Sequence, residues 1–402
     1  MNDNFQLDAL LRAMLATEPE LSDVLLVPGY PPQYARHGRL QRFAGDRGPA
    51  RVTPEFAETI AGVLIQDNEV SRQNLREHGS CDCSHALGGV ARFRVNIYRQ
   101  CGHLAVAMRR LSDTIPGLGT LGLPPVVASI VQERTGIVIV SGATGMGKTT
   151  TLAALLNEVN HQQDVHIVTL EDPIEFLHQP VRATFSQREL GKDFSSYPAG
   201  LRAALRQAPR VILVGEIRDR ETMEVALTAA ETGHVVFTTL HTIDAGQTIN
   251  RILGMFDKAE EQLVRQRLAD TLRWVVSQRL VPKIGGGQHL VAEIMGSHLR
   301  SREVILLGES DKRVLHDIIE SSVSPYGWQS FEQSLLQAHL AGHITEETAV
   351  MQSTHKSKLR QAIDSSRHDR RSLPGNGNGH RPDPLPRMAS GDSPLRPALL
   401  PA

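Results

Sequence analysis

Residues Gly142-Ala143-Thr144-Gly145-Met146-Gly147-Lys148-Thr149 have the types and spacing needed to hold a chain of phosphates. The three glycines let a loop turn tightly and bring its N–H groups against phosphate oxygens. Lys148 can reach the β- and γ-phosphates, and the Thr149 hydroxyl, followed by Thr150, can ligate Mg²⁺. Two acidic clusters lie downstream, Glu171-Asp172-Pro173-Ile174-Glu175 and Gly215-Glu216-Ile217-Arg218-Asp219, each closing an apolar run. Nucleotide hydrolysis needs a phosphate cradle, a divalent cation, a group that positions or deprotonates water, and positive charge for the transition state. Glu216 suits the cation, held directly or through water. Pro173 prevents a simple continuation of a strand and bends the chain. Glu175 is therefore assigned as general base, with Glu171 and Asp172 as supporting acids. His234 and His241 bracket another apolar run and, seven residues apart, face opposite sides of a regular strand. His241 can contact a γ-phosphate or sense its loss; His234 is expected to support structure or a subunit contact.

The elements that must position these groups follow from periodicity. Ile137–Val140 is a β-branched run, and Leu152, Leu155, Leu156 and Val159 recur at helical spacing, so the glycine loop joins a strand to a helix whose N-terminus adds partial positive charge. Val165–Leu170, Arg210–Gly215 and His234–His241 read as buried parallel strands, separated by helices at Pro198–Arg206 and Glu221–Thr232. Functional groups at strand C-termini imply a doubly wound parallel sheet with its ligand at that edge. Before it, residues 5–16, a strand at Ser22–Val27, a strand at Tyr34–Leu40, a helix at Phe56–Glu69 and strands at Gly89–Tyr98 and Leu104–Leu111 make a small α+β module. Ser112–Pro125, rich in Gly and Pro, reads as a hinge, and Val126–Glu133 as a helix. After the sheet, Glu260–Arg279 reads as one long helix, followed by short helices at Val314–Glu320, Phe331–Leu340 and Glu346–Met351. From Ser353 the Ser-, Arg-, Pro- and Gly-rich composition predicts disorder.

Composition sets the limits. With 402 residues, two or three domains are expected. A formal net charge of −1 argues against a nucleic-acid binder held by bulk charge. Three cysteines make no disulfide framework, which suits a reducing cytoplasm, and Cys81-x-Cys83 beside His85 lacks structural-zinc spacing. No apolar run approaches the roughly 18 residues needed to span a bilayer. The N-terminus has no basic segment of the signal-peptide kind.

Four motifs in order resemble the secretion-type ATPases of type II and type IV secretion and of type IV pili. They are the Walker A loop Gly142–Thr149, an Asp box at Thr169–Phe176, a Walker B element at Val211–Glu216 and a His box at Thr232–Thr242. Ala91–Asn96, Phe185–Gly191 and Gln329–Leu335 are most similar to the pilus-retraction branch, the PilT and PilU proteins. The resemblance implies an α/β fold: a PAS-like α+β N-terminal domain (residues 1–112), a hinge (113–125), and a RecA-like P-loop parallel-sheet ATPase domain with a helical C-terminal part (126–352). It implies a homo-hexameric ring that hydrolyses ATP with Mg²⁺ and withdraws pilin, giving twitching motility. Arginines of the N-terminal domain would complete the site, with Arg92, Arg94 and Arg109 at plausible positions; which one acts, and from which subunit, stays open, as does a solvated strand face. The implied partners are an inner-membrane pilus platform protein and a paralogous pilus ATPase, with the protein cytoplasmic and peripheral at the inner membrane. A secretion or assembly ATPase, or a non-hydrolysing paralogue in a two-ring motor, is the alternative. Arg300–Ile305 keeps only Arg302 and Ile305 of the retraction branch's Ala-Ile-Arg-Asn-Leu-Ile.

Overall fold

The computed structural model describes residues 3–372 apart from 46, 67, 311 and 312. The Pro-rich stretch Pro374–Ala402, expected to be disordered, lies outside the described residues. Among the described residues, no helix is long and apolar enough to cross a membrane.

The N-terminal part packs three helices, α1 (Asp3–Thr17), α2 (Pro54–Ile65) and α3 (Glu69–His78), with an antiparallel sheet. Its strands are β1 (Asp23–Leu26), β2 (Gln33–Arg36), β3 (Arg39–Arg42), β4 (Ser80–Leu87), β5 (Ala91–Gln100) and β6 (His103–Arg110), in the order β3-β2-β1-β6-β5-β4. Alternation along β5 sends Phe93, Val95 and Ile97 into the core with Leu7, Leu11, Met14 and Ile60, and leaves Arg92, Arg94 and Asn96 on the other face. The single strand expected at Tyr34–Leu40 is a tight hairpin instead. His37 and Gly38 both take positive φ (48° and 74°), the conformation that reverses a two-residue β-turn.

The second part is a seven-stranded sheet in the order β13-β12-β7-β11-β10-β8-β9. Its strands are β7 (Gly136–Ser141), β8 (His166–Glu171), β9 (Thr184–Glu189), β10 (Val211–Val214), β11 (Val235–Leu240), β12 (Leu272–Pro282) and β13 (Gln288–Gly296). All neighbours run parallel except β12 and β13. The central strands are buried and mostly apolar because both faces are covered. Ile137 and Ile139 pack to one side, with α5 (Tyr197–Ala204), α6 (Arg220–Glu231), α7 (Ala245–Leu253), α8 (Glu261–Thr271) and α9 (Leu299–Leu307). Val138 and Val140 pack to the other, against α4 (Lys148–Gln162) and a 3₁₀ run at Pro125–Gln132, where a regular helix was expected. Side-chain caps start the helices after the strands: Ser196 for α5, Asp219 for α6 and Asp244 for α7.

Two expectations fail in the last third. Glu260–Arg279 is not one helix, because it ends at Thr271 and the chain continues as β12. Trp274, Val275, Val276 and Val281 are β-formers, and tertiary pairing with β7 and β13 supplies the ladder that overrides the helical spacing. The chain also stays ordered past Ser353. After α10 (Leu315–Ser321), α11 (Phe331–Leu340) and α12 (Glu346–Gln352) comes α13 (Lys356–Ser372). Leu359 and Ile363, four residues apart, bury against Phe331 and Leu335 and hold that polar helix down.

Candidate active site

The glycine loop leaves the buried end of β7 and closes on α4. Gly142, Gly145 and Gly147 all take positive φ. At Gly142 (φ +145°) a Cβ would lie 2.6 Å from the Gln278 carbonyl oxygen, so backbone of β12 forms the floor of the loop. Gln278 Nε2 donates to Thr151 Oγ1 at 2.9 Å, and the Leu280 N–H reaches the Met146 sulfur at 3.2 Å. Lys148 is 8% exposed and donates to the carbonyls of Gly142 (2.8 Å) and Ala143 (3.0 Å). Burial pulls its pKa below the ordinary lysine value, opposed by the charges of Glu216 and Glu175. Thr149 and Thr150 follow in the first turn of α4.

Glu216 stands just beyond β10. Thr239 Oγ1 donates to the Gly215 carbonyl at 2.7 Å, which ties the turn to β11. The Glu216 carboxylate pairs with Arg218 and, at 3.1 Å, with His241 Nε2. His241 Nδ1 lies 3.5 Å from Lys148 Nζ and from Thr144 Oγ1. The structure thus brings Lys148, Glu216 and His241 together at one sheet edge. His234 is held locally, with Nδ1 3.0 Å from the Ala229 carbonyl.

The segment after β8 is fixed from both sides. Glu171 is 7% exposed and accepts from Thr169 Oγ1 (2.6 Å) and Gln187 Nε2 (3.3 Å). Burial pushes its pKa up to about 7, against those hydrogen bonds. Burial, with a smaller contribution from the Asp82 charge, also raises Asp172. Glu175 is more open and faces Arg94 Nη1 at 3.8 Å. Arg92 Nη2 donates to the Ile174 carbonyl at 2.9 Å, and its buried Nη1 has no hydrogen-bond partner among the described residues. Of the three arginines singled out from sequence, Arg92 and Arg94 therefore reach the acidic segment. Arg109 does not; its Nε pairs with Asp23 at 2.9 Å within the N-terminal sheet.

Sequence reasoning missed Arg218, Gln187 and Glu189. Arg218 sits two residues from Glu216, a same-side spacing in extended chain that could have signalled the pair. Gln187 and Glu189 have the same spacing on β9, a strand that its polar composition concealed. Cys81 and Cys83 point into the N-terminal core, where burial lifts their thiols to about 11 and about 12, and His85 pairs with Asp8 at 2.8 Å.

Known proteins share this chain's sequence and fold over most of its length. The family model described as "Type II/IV secretion system protein" matches residues 91–318. The type IV pilus ATPase PilU of Pseudomonas aeruginosa is 35% identical over 363 residues, covering 89% of this chain and 91% of that protein. PilT of the same organism, a type IV pilus retraction ATPase, is 37% identical over 330 residues, covering 82% and 93%. The crystal structure of the pilus retraction motor PilT with bound ADP superposes with a TM-score of 0.77 at 37% identity, covering 88% of this chain and 98% of that one. With the model spanning more than half the chain and relatives matched nearly end to end, the chain belongs to the type II/IV secretion system protein family.

Proposed function

We propose that this protein is a Mg²⁺-dependent ATPase that drives type IV pilus retraction, and hence twitching motility, as a ring of six copies. The observation that carries the reading is the meeting of Lys148, Glu216 and His241 at the C-terminal edge of the parallel sheet. ATP would lie along Gly142–Thr150, its β- and γ-phosphates on the loop N–H groups and Lys148. The Thr149 hydroxyl and the Glu216 carboxylate are hard oxygen donors and fit Mg²⁺. Bound there, Mg²⁺ would neutralise charge on the phosphate oxygens. Glu175 takes a proton from the attacking water as its oxygen bonds to the γ-phosphorus and the bond to the β-phosphate oxygen breaks, leaving ADP and phosphate. Arg92 and Arg94, already at the acidic segment, supply positive charge from the N-terminal domain. Arg109, paired with Asp23 inside its own domain, does not reach the acidic segment of the same chain. His241, between Glu216 and Lys148, relays the state of the γ-phosphate. The residue 113–125 hinge lets the two domains rotate during turnover.

An inner-membrane pilus platform protein and a paralogous pilus ATPase are the proposed partners, nucleic acid is not, and the place of action is the cytoplasmic side of the inner membrane. The names of relatives that cover most of this chain support the pilus setting. The test is steady-state ATPase activity of the purified protein, with mass by light scattering, beside Glu175→Gln and Lys148→Ala. Loss of a well-placed base costs about 10²–10⁴ in rate. Turnover by hexamers, abolished in Glu175→Gln with ATP binding retained, is the expected result. An inert wild-type protein, or one indifferent to Glu175→Gln, overturns the reading.

A further inference from the structure

Ile174 immediately precedes Glu175, and both its backbone polar groups are held. Its N–H donates to Glu189 Oε2 at 3.3 Å, and its carbonyl accepts from Arg92 Nη2 at 2.9 Å. Glu189 is buried at the end of β9 and has further partners. Both of its oxygens lie 2.8 Å from Ser84 Oγ, which belongs to β4 of the N-terminal part. Lys192 Nζ pairs with Glu189 at 2.7 Å and donates to Ser84 Oγ at 2.8 Å. The turn after β9 closes the same seam, because Gly191 (φ +81°) lies so near the Asn68 side chain that a Cβ would strike it. Two contacts from the N-terminal part, Ser84 through Glu189 and Arg92 directly, therefore converge on one residue beside the assigned base.

We propose that Glu189 is a positioning residue that senses the seating of the N-terminal domain through Ser84, fixes the Ile174 N–H, and so aims the Glu175 carboxylate. The proposal rests on Glu175 being the base of the ATPase described above. A carboxylate only accepts hydrogen bonds, so donors from two domains at one buried carboxylate hold both domains to a single geometry. General-base transfer demands hydrogen-bond reach to the water, and a misplacement of about 1 Å costs about 100-fold in rate. Hydrolysis is thereby tied to domain closure, and an open subunit keeps nucleotide without efficient turnover.

The experiment compares full-length wild type, Ser84→Ala, Ser84→Thr, Glu189→Ala and the double Ser84→Ala/Glu189→Ala, with Glu175→Gln alongside. Readouts are kcat and KM for ATP, affinity for a fluorescent ADP analogue, and thermal unfolding. Ser84→Ala is expected to lower kcat about tenfold with KM and ADP affinity held within about twofold. Ser84→Thr, which keeps the hydroxyl, restores turnover. The double variant is no slower than Glu189→Ala alone, since both changes cut one linkage. If Glu189→Ala fails to fold, the Ser84 pair decides. Unchanged kcat in Ser84→Ala while Glu175→Gln is inactive overturns the positioning role, as do losses that multiply in the double variant or fall on KM alone. Full turnover by Glu175→Gln instead overturns the base assignment beneath it.

Discussion

Replacing Glu171 by Gln should make the protein more stable at neutral and alkaline pH, by an amount that depends on pH. The native carboxyl titrates near 7 because burial disfavours its charged form, against 4.5 for an unperturbed glutamate. Below pH 4.5 both native and unfolded forms hold the proton. Between 4.5 and about 7 only the native form holds it, so stability falls as pH rises through that window; above it neither does, and the loss is complete. At roughly 1.4 kcal/mol per pH unit, the interval corresponds to about 3 kcal/mol. The substituted amide keeps an oxygen to accept from Thr169 Oγ1 and Gln187 Nε2 and cannot ionise. Urea unfolding followed by tryptophan fluorescence suits the test, because Trp274 and Trp328 both pack in the sheet domain. The stability gap between variant and wild type should open by about 3 kcal/mol between pH 4.5 and pH 8. A gap that stays constant across this range, or a variant that loses ground as pH rises, would refute the reasoning.

Three further changes probe the same framework. Gly142→Ala forces a Cβ onto the Gln278 carbonyl at positive φ and should weaken ADP binding about tenfold or more, as read by fluorescence titration. His241→Ala removes the bridge between Glu216 and Lys148 and should slow turnover about 10- to 100-fold while ADP affinity changes little; equal loss in both would make His241 a binding residue only. Asn160 is fully buried, donates to the Gln179 carbonyl and accepts from the N–H groups of Val181 and Ala183, so Asn160→Ala should cost about 3 kcal/mol in urea unfolding.

The sequence made the glycine loop and the strands around it legible because each carries a local signal. Apolar β-branched runs end in glycine or acid, and the loop's chemistry is contiguous. Glu216 and His241, 25 residues apart, were readable as strand tips even though only folding places them 3.1 Å from each other. What stayed hidden depended on partners distant in sequence. Leu272–Pro282 carries helix-compatible spacing, and only its place between β7 and β13 makes it a strand. β9 is polar enough to pass for a loop, yet Gln187 and Glu189 use that polarity to hold the segment bearing Glu175. Arg92, Arg94 and Arg109 looked alike on paper. Asp23, far away in sequence, separates Arg109 from the other two.

The position of β12 also bears on which pieces of the chain can live alone. The last of the four nucleotide-site motifs ends at Thr242, but among the described residues β12 is the only strand covering one side of β7. A fragment stopping there would expose the apolar edge Ile137–Val140 with its N–H and C=O groups unpaired, and such an edge recruits strands from other copies into aggregates. Trimming to residues 91–318 does similar harm at the other end, by parting β5 from β4 along the ladder that joins Cys83 to Val95. The borders of recognisability and of autonomous solubility are thus different borders, and a soluble fragment must be cut where sheets end.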